Sequence, residues 1–275
     1  MPTQNRRPIL SSTTRALTSL AAAALLAGGL VGCASAPPAN DPDAVAEFRQ
    51  TNDPLEPTNR VFYAINNGLD AAILKPVAQA YRYVVPANIR LGVHNVLDNM
   101  GGPVRLTNDA LQGKPRRAGD TAMRFLINST LGVAGIIDVA KDLGYPGHDT
   151  DFALSLQNWD VPEGPFLFLP ILGPNSPRDL TGFAADMAID PFTWIGRGTT
   201  GFTIESWTRT AVGAVDSRER FLDPIDQIKK TALDPYATFR SLYRQNRAGK
   251  LAELRADKRA TAPVWWSRPR LAETR

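Results

Sequence analysis

Asn52-Asp53-Pro54-Leu55-Glu56 packs three signs of a helix start into five residues. Asp53 is a residue type that caps helices. Pro54 suits a first turn, where its missing N–H would be unpaired anyway. Glu56 stands three residues after the cap, as in a capping box. The device recurs at Ser176-Pro177-Arg178-Asp179 and at Asp223-Pro224-Ile225-Asp226, and Asp234-Pro235 repeats its first half. These Pro-marked starts predict a mainly α protein with no substantial sheet. After the first start, Phe62, Ile65, Leu69 and Ala72 fall at steps of three and four and form one apolar stripe. Residues 76–84, 87–100 and 103–112 read as short helices, punctuated by Lys75-Pro76, Pro86 and Gly101-Gly102-Pro103. Another helix follows Pro177. Ile204, Trp207, Thr208, Ala211 and Val215 mark a further amphipathic one, and a last helix runs from about Pro235 toward Leu254. The 22 Pro and 21 Gly are spread along the chain, which keeps the elements short.

Upstream, Arg6, Arg7 and Arg15 precede an apolar run from Leu17 to Leu30, and Leu30-Val31-Gly32-Cys33 closes it. A charged start, an apolar run too short for a stable span and a small residue before cysteine have the layout of a bacterial secretory signal. The cysteine makes it a lipobox. It resembles those of bacterial lipoproteins, in which the thiol is acylated and the cysteine becomes the first residue. Cys33 is the only cysteine of the 275 residues, so no intramolecular disulfide can form. Lipoproteins kept at the inner membrane typically carry Asp at the next position, so Ala34 implies passage to the outer membrane. Residues 1–32 are thus read as signal and 33–51, rich in Ala, Pro and acids, as a flexible tether. Residues 52–245 are read as a single helical domain and 246–275 as a disordered basic tail holding Trp265-Trp266.

The formal charge is +4 overall. The signal supplies +3 and the stretch from Arg244 onward +6, which leaves the body at −5. The body is mildly acidic and the tail basic, and the compartment rather than the charge excludes nucleic acid as a partner.

Two apolar runs stand out. Phe125 to Ile137 is the most apolar part of the mature chain, and Gly132 and Gly135 suit a bend in it. Gly164 to Gly173 is apolar on every side but broken by Pro165 and Pro170. Both fall short of the ~20 residues that span a bilayer. Each is open to two readings, a buried core segment or a segment resting among acyl chains.

Little in the chain suggests catalysis. It holds two histidines, His94 and His148, and no G-x-S-x-G elbow, S-x-x-K or P-loop. His148-Asp149-Thr150-Asp151 lacks a second histidine at ligand spacing, so no metal site and no cofactor are expected. The chain is read as not an enzyme, with no catalytic residues.

An ordered series of motifs carries a resemblance. Asn52-Asp53-Pro54-Leu55-Glu56 with Asn59-Arg60, then Lys75-Pro76-Val77-Ala78 and Leu111-Gln112-Gly113, opens it. Arg124 through Gly132, Gly135-Ile136-Ile137-Asp138-Val139-Ala140 and Asp151-Phe152 continue it. Gly164-Pro165-Phe166, Leu169-Pro170, Leu172-Gly173-Pro174 and Arg178-Asp179 follow. Together they resemble the MlaA (VacJ) lipoproteins over roughly 52–240. Thr58, Ala153 and Pro177 depart from the usual pattern.

The resemblance implies a ring-like helical domain in the inner leaflet of the outer membrane, on its periplasmic face, lipid-anchored through Cys33. It implies passive removal of phospholipid strayed into the outer leaflet, with trimeric porin and a soluble periplasmic lipid carrier as partners. On that view Arg178, Asp179 and Asp186 stand near a polar lumen. Phe166, Leu167, Phe168, Leu169, Ile171 and Leu172 lie on a membrane rim. Leu131, Gly132, Gly135, Ile136 and Ile137 form a mobile hairpin at the channel. For Arg178 and Asp179 a helix cap with an ion pair is the equal alternative. A porin scaffold and an envelope phospholipase are the alternative functions.

Overall fold

The computed structural model describes residues 53–195 and 200–256, with isolated positions 41, 45 and 51 before them. Cys33 and Trp265-Trp266 lie outside the described residues. The chain runs α1 (Glu56–Leu69), a π-helical segment (Asp70–Leu74), α2 (Lys75–Val84), α3 (Ala87–Met100), α4 (Gly102–Leu111) and α5 (Pro115–Thr130). Then come α6 (Val139–Asp142), α7 (Phe152–Asn158), strands β1 (Leu167–Leu169) and β2 (Gly173–Asn175), and α8 (Pro177–Ile189). A 3-10 turn (Pro191–Thr193), α9 (Thr200–Arg220), α10 (Leu222–Thr231) and α11 (Pro235–Ala256) complete it. The fold is mainly helical. Its described sheet is one antiparallel hairpin, with Leu167 opposite Asn175 and Leu169 opposite Gly173.

Two of the expected caps form. The Ser176 side chain accepts the Asp179 N–H, and the Asp234 carboxylate accepts the Ala237 N–H at 3.1 Å. Two do not. α1 starts at Glu56 without a side-chain cap, because the Asp53 carboxylate is committed elsewhere. It accepts from Asn59 Nδ2 at 2.8 Å, Tyr236 OH at 2.5 Å and Arg240 at 2.6 Å. Asp223 lies inside the first turn of α10 and pairs with Arg82 at 2.9 Å. An acid there is still favoured by the helix dipole.

The hairpin is the centre of the aromatic core. Phe166, Phe168 and Tyr236 are buried together, with Phe62, Tyr63 and Tyr243 against them. Tyr63 meets Phe168 edge-on with centroids 5.4 Å apart. Asn59 and Asn66, two helical turns apart on α1, satisfy the hairpin's free edge. Asn59 donates to the Phe166 carbonyl at 3.0 Å and accepts the Phe168 N–H at 2.8 Å. Asn66 does the same for the Leu169 carbonyl and the Ile171 N–H, both at 2.8 Å. α1 therefore acts as a third edge to a two-stranded hairpin that is marginal alone.

The predicted stripe on α1 does not face this core. Phe62 is half-buried, but Ile65, Leu69 and Ala72 are exposed. Exposed Val61, Ile65, Leu69, Ile73 and Val77 run at four-residue spacing along α1 and α2. Such spacing drifts about 40° per step on an α-helix. The wider turn of the π segment counters the drift and keeps the residues in one ridge. On α9, Trp207 and Ala211 are likewise exposed. Among the described residues no helix is long and apolar enough to cross a membrane.

The last helix extends past the expected domain edge. Residues 246–256 continue α11 rather than starting a disordered tail. Leu254 is fully buried, and Arg247 pairs at 2.6 Å with both Asp151 and Asp179, which gives this basic stretch partners inside the fold.

Candidate functional site

A cavity of about 590 Å³ opens between α3, α4, α5 and α11. α3 contributes His94, Asn95, Asp98 and Asn99. α4 adds Gly102 and Arg105, and α5 adds Thr121, Arg124, Phe125 and Asn128. The segments after α5 bring Asp138 and Gly147-His148-Asp149, and α11 brings Asn246, Gly249, Lys250 and Glu253. Fourteen of these eighteen carry polar or charged side chains. Gly102 is needed for the close α4–α5 approach, since a Cβ there would sit 2.9 Å from the Phe125 ring.

Paired charges hold the wall. Arg105 reaches the Asp98 carboxylate at 2.6 Å and also its carbonyl. Arg124 bonds Asp138 at 2.9 Å and the Tyr145 carbonyl at 2.6 Å. Burial pushes the Asp138 carboxyl up, but the hydrogen bonds from Arg124 and Asn128 outweigh it and hold it below the usual carboxylate range. His94 Nδ1 is 3.0 Å from Asp216 on α9. His148 Nε2 lies 2.8 and 2.9 Å from the two oxygens of Asp109. Among the described residues no cluster of His, Cys, Asp and Glu could hold a metal.

On its other side α3 borders a second space, an apolar groove of about 800 Å³ shared with α9. Ile89, Val93, Val96, Leu97 and Met100 line it from α3, and Val212 from α9. One helix thus divides a polar cavity from an apolar groove.

Residues 131–137 lie over this dividing helix. α5 stops at Thr130, and the chain turns back through hydrogen bonds from Gly135 N–H to the Asn128 carbonyl and from Ile137 N–H to the Gly132 carbonyl. Asn95 donates to the Ile136 carbonyl at 2.9 Å. The side chain of Ile136 also lines the groove, nested against Gly92 of α3. Gly135 has φ of +95° and rests on Asn99, where a Cβ would come within 2.7 Å. Leu131, Ile136 and Ile137 are exposed, while Gly132 and Gly135 are buried beneath them. The segment is a hydrogen-bonded turn with an apolar outer surface.

Arg178, Asp179 and Asp186 do not line the cavity. The first turn of α8 faces inward, where a buried carboxylate needs partners. Asp179 accepts from Tyr243 OH and Arg247 Nε, both at 2.6 Å, beside Arg178 at 3.4 Å. Asp186 accepts from Asn108 at 2.8 Å and from the Phe152 N–H. Burial pushes the Asp186 carboxyl above its ordinary value despite these bonds. All three tie α8 to its neighbours; the Arg178–Asp179 contact is the ion pair of the alternative reading, and Ser176 supplies the cap.

The rim also divides. Phe166 and Phe168 are core residues, so they are not surface contacts. Leu167 and Leu169 are half-buried, and only Ile171, 83% exposed, and Leu172 stand out beyond the hairpin. Sequence reasoning quoted His94, Arg124, Asp138 and His148-Asp149 but did not join them into a cavity, because the lining residues are scattered from His94 to Glu253. The one signal for them was the polar face of α3.

The architecture is that of a helical protein with a polar cavity inside and large apolar side chains outside. A family model described as MlaA lipoprotein matches residues 51–250, and the chain belongs to this family. An uncharacterized protein of Rickettsia bellii is 32% identical over 200 residues, 72% of this chain and 76% of that protein. The intermembrane phospholipid transport system lipoprotein MlaA of Haemophilus influenzae is 34% identical over 244 residues, 84% of this chain and 91% of the relative. A solved structure reported as a structural basis for maintenance of bacterial outer membrane lipid asymmetry is 32% identical with a TM-score of 0.64. It covers 72% of this chain and 98% of that one.

Proposed function

We propose that the chain is an outer-membrane lipoprotein that maintains lipid asymmetry. It passively removes phospholipids mislocalised to the outer leaflet and delivers them to a soluble periplasmic carrier. Cys33 carries the lipid anchor, the body sits on the periplasmic face, and a trimeric porin is its neighbour in the membrane. No catalytic step is assigned to it.

The observation that carries this reading is the division made by α3, with a polar cavity on one side and an apolar groove on the other. A phospholipid headgroup cannot enter hydrocarbon cheaply, because an unpaired buried polar group costs several kcal/mol. A wet cavity for the head beside an apolar surface for the tails lowers that cost. The exposed ridge from Val61 to Val77 and the outer faces of Ile136, Ile137 and Ile171 suit lipid contact in the same way. The name and subject of the relatives, phospholipid transport and outer membrane lipid asymmetry, support the same assignment.

The test is surface phospholipid. Deleting the gene is expected to raise outer-leaflet phospholipid, assayed by its accessibility to an added phospholipase. Wild type restores it and Cys33→Ala does not, while the purified protein generates no lysolipid. An unchanged surface after deletion, with porin association intact, would transfer the assignment to a scaffold. Lysolipid release would transfer it to a phospholipase.

A further inference from the structure

A small pocket of about 210 Å³ lies between α1, the hairpin, α10 and α11. Tyr63, Phe168 and Phe239 give it aromatic walls, and Leu69 and Ile171 complete its apolar lining. Leu69 also belongs to the exposed ridge of α1, and Ile171 is the exposed tip of the hairpin. The pocket thus joins two surfaces already assigned to lipid contact. It is smaller than the ~300–1,000 Å³ that whole small ligands fill, so it suits a stretch of one acyl chain.

One edge of the pocket is ionic, with Asp70, Arg218 and Lys229 in its lining. Asp70 accepts from Arg218 Nε at 2.5 Å, from Arg218 Nη2 at 3.0 Å and from Lys229 Nζ at 2.9 Å. Behind it, Asp226 accepts from Lys75 at 2.8 Å and lies 3.9 Å from Arg218. Burial pushes the Asp70 carboxyl up, but the bonds from Arg218 and Lys229 hold it below its ordinary value. The bond from Lys75 lowers Asp226 likewise. Both acids are charged, and Lys75, Arg218 and Lys229 outnumber them by one. Exposed Lys230 adds to the surplus. The next charges along, Arg82 and Arg90, are matched by Glu219 and Asp223, and Asp216 turns to His94 beside the polar cavity. Arg218 is 7% exposed, so it supplies charge rather than contact. Lys229 is 28% exposed and spends one of its three donors on Asp70, which makes it the pocket cation that a ligand can reach.

We propose that this pocket holds an acidic phospholipid of the surrounding leaflet, one acyl chain lying between Leu69 and Ile171 and the headgroup phosphate on Lys229. A lysine at the edge of an apolar surface keeps its stem among chains and its charge at headgroup level. The lipid is a resident of the protein's edge and not its cargo, since none of these residues lines the polar cavity. The assignment rests on the reading that the ridge and the hairpin tip face the bilayer. The ligand class is a phospholipid of net negative charge, such as phosphatidylglycerol. Zwitterionic lipids carry the same phosphate, but their ammonium group brings a cation to a place that already has one too many.

The experiment uses the full lipidated protein in phosphatidylethanolamine vesicles. Cys33 is the only native cysteine and is the anchor position, so Leu172→Cys, next to the pocket, gives a single free thiol for a fluorophore. The vesicles are doped with phosphatidylglycerol or phosphatidylcholine, each brominated on identical chains. Bromine quenches the label on contact. Half-maximal quenching is expected at an about three- to tenfold lower fraction of the glycerol lipid, the factor of one basic residue at an anionic lipid. Lys229→Gln removes the preference, and Lys229→Arg keeps it.

A second variant guards against misfolding of the first. Ile225→Phe fills the pocket from α10 and is expected to bring quenching by phosphatidylglycerol down to the phosphatidylcholine level, whereas charge at an open surface would leave it unchanged. Equal quenching by the two lipids in wild type, or a preference that survives Lys229→Gln, would overturn the inference. Displacement of the brominated lipid by free glycerol phosphate would mean a small-anion site and overturn the assignment to a lipid. Quenching by neither lipid would overturn the inference together with the reading that the hairpin tip faces the bilayer. The transport reading stands or falls separately, on surface phospholipid after gene deletion.

Discussion

Residues 131–137 and the hairpin at 167–175 are both held by asparagine side chains that reach backbone groups, yet they place their apolar residues oppositely. At the hairpin, Asn59 and Asn66 bond its edge from α1, and Phe166 and Phe168 turn inward onto Tyr236. At the loop, Asn95 donates to the Ile136 carbonyl, and Asn128 Oδ1 accepts the Ala140 N–H at 2.9 Å, all from beneath. Leu131, Val133, Ile136 and Ile137 turn outward. Backbone hydrogen bonds fix the shape of both segments. What differs is the partner on the far side, an aromatic helix face for the hairpin and, for the loop, only the contact of Ile136 with Gly92 of α3. Truncating the hairpin core should therefore cost most. Phe166→Ala, at a position with no exposure, is expected to lose about 3–5 kcal/mol in chemical denaturation. A loss under 1 kcal/mol would show that the core lies elsewhere.

The contrast marks what the sequence could and could not tell. Pro-marked starts placed most helices well, because proline acts locally. Ser176 and Asp234 cap as expected. Asp53 does not, because Asn59, Tyr236 and Arg240 claim its carboxylate from 6, 183 and 187 residues away, and spacing cannot show such partners. The two apolar runs looked equivalent for the same reason. Burial of Phe168 depends on Tyr63 and Tyr236, which no local pattern links to it. The stripe on α1 was visible as a period, but the side it faces was not. In a protein with a polar interior, periodicity identifies an apolar face without saying that it points inward. The site was least legible. Its charges come from separate elements, and the acids picked out on α8 are bonded to Tyr243, Arg247 and Asn108 away from the cavity lining.

Loop geometry gives the next effect in size. Gly135 combines φ of +95° with contact on Asn99. Gly135→Val introduces strain in a region closed to β-branched residues and is expected to cost about 2 kcal/mol in thermal unfolding. The matching change at Gly173, which also has positive φ but open space around it, should cost less. Equal losses would show that φ alone governs and that Asn99 does not support the turn.

A smaller effect depends on pH. Hydrogen bonds from Arg124 and Asn128 lower the Asp138 carboxyl in the folded state. A lowered folded value means the unfolded chain takes up the proton first. The stabilisation is complete above the unfolded carboxylate range near 4 and fades as pH falls through the folded value. Denaturation between pH 6 and pH 3 should therefore show Asp138→Asn losing less stability with acid than wild type does. Parallel curves would mean that Arg124 does not hold the carboxylate.

The smallest change in stability should accompany the largest change in membrane contact. Ile137 is 53% exposed and Ile171 83% exposed, so replacing either with Asp removes little packing and should shift unfolding by less than about 0.5 kcal/mol. If both rest among acyl chains, each loses the transfer energy of a buried isoleucine, about 1.5–3 kcal/mol. That corresponds to a tenfold or greater loss of vesicle binding. The Cys33→Ala form is the right background, because acyl chains on Cys33 would mask the difference. Loss at Ile137 alone would put the loop in lipid and leave the hairpin tip outside. Loss at Ile171 alone would reverse that. Loss at both would mean that one segment with a buried core and one without present the same kind of surface to the bilayer, so core packing would not decide which surface meets lipid.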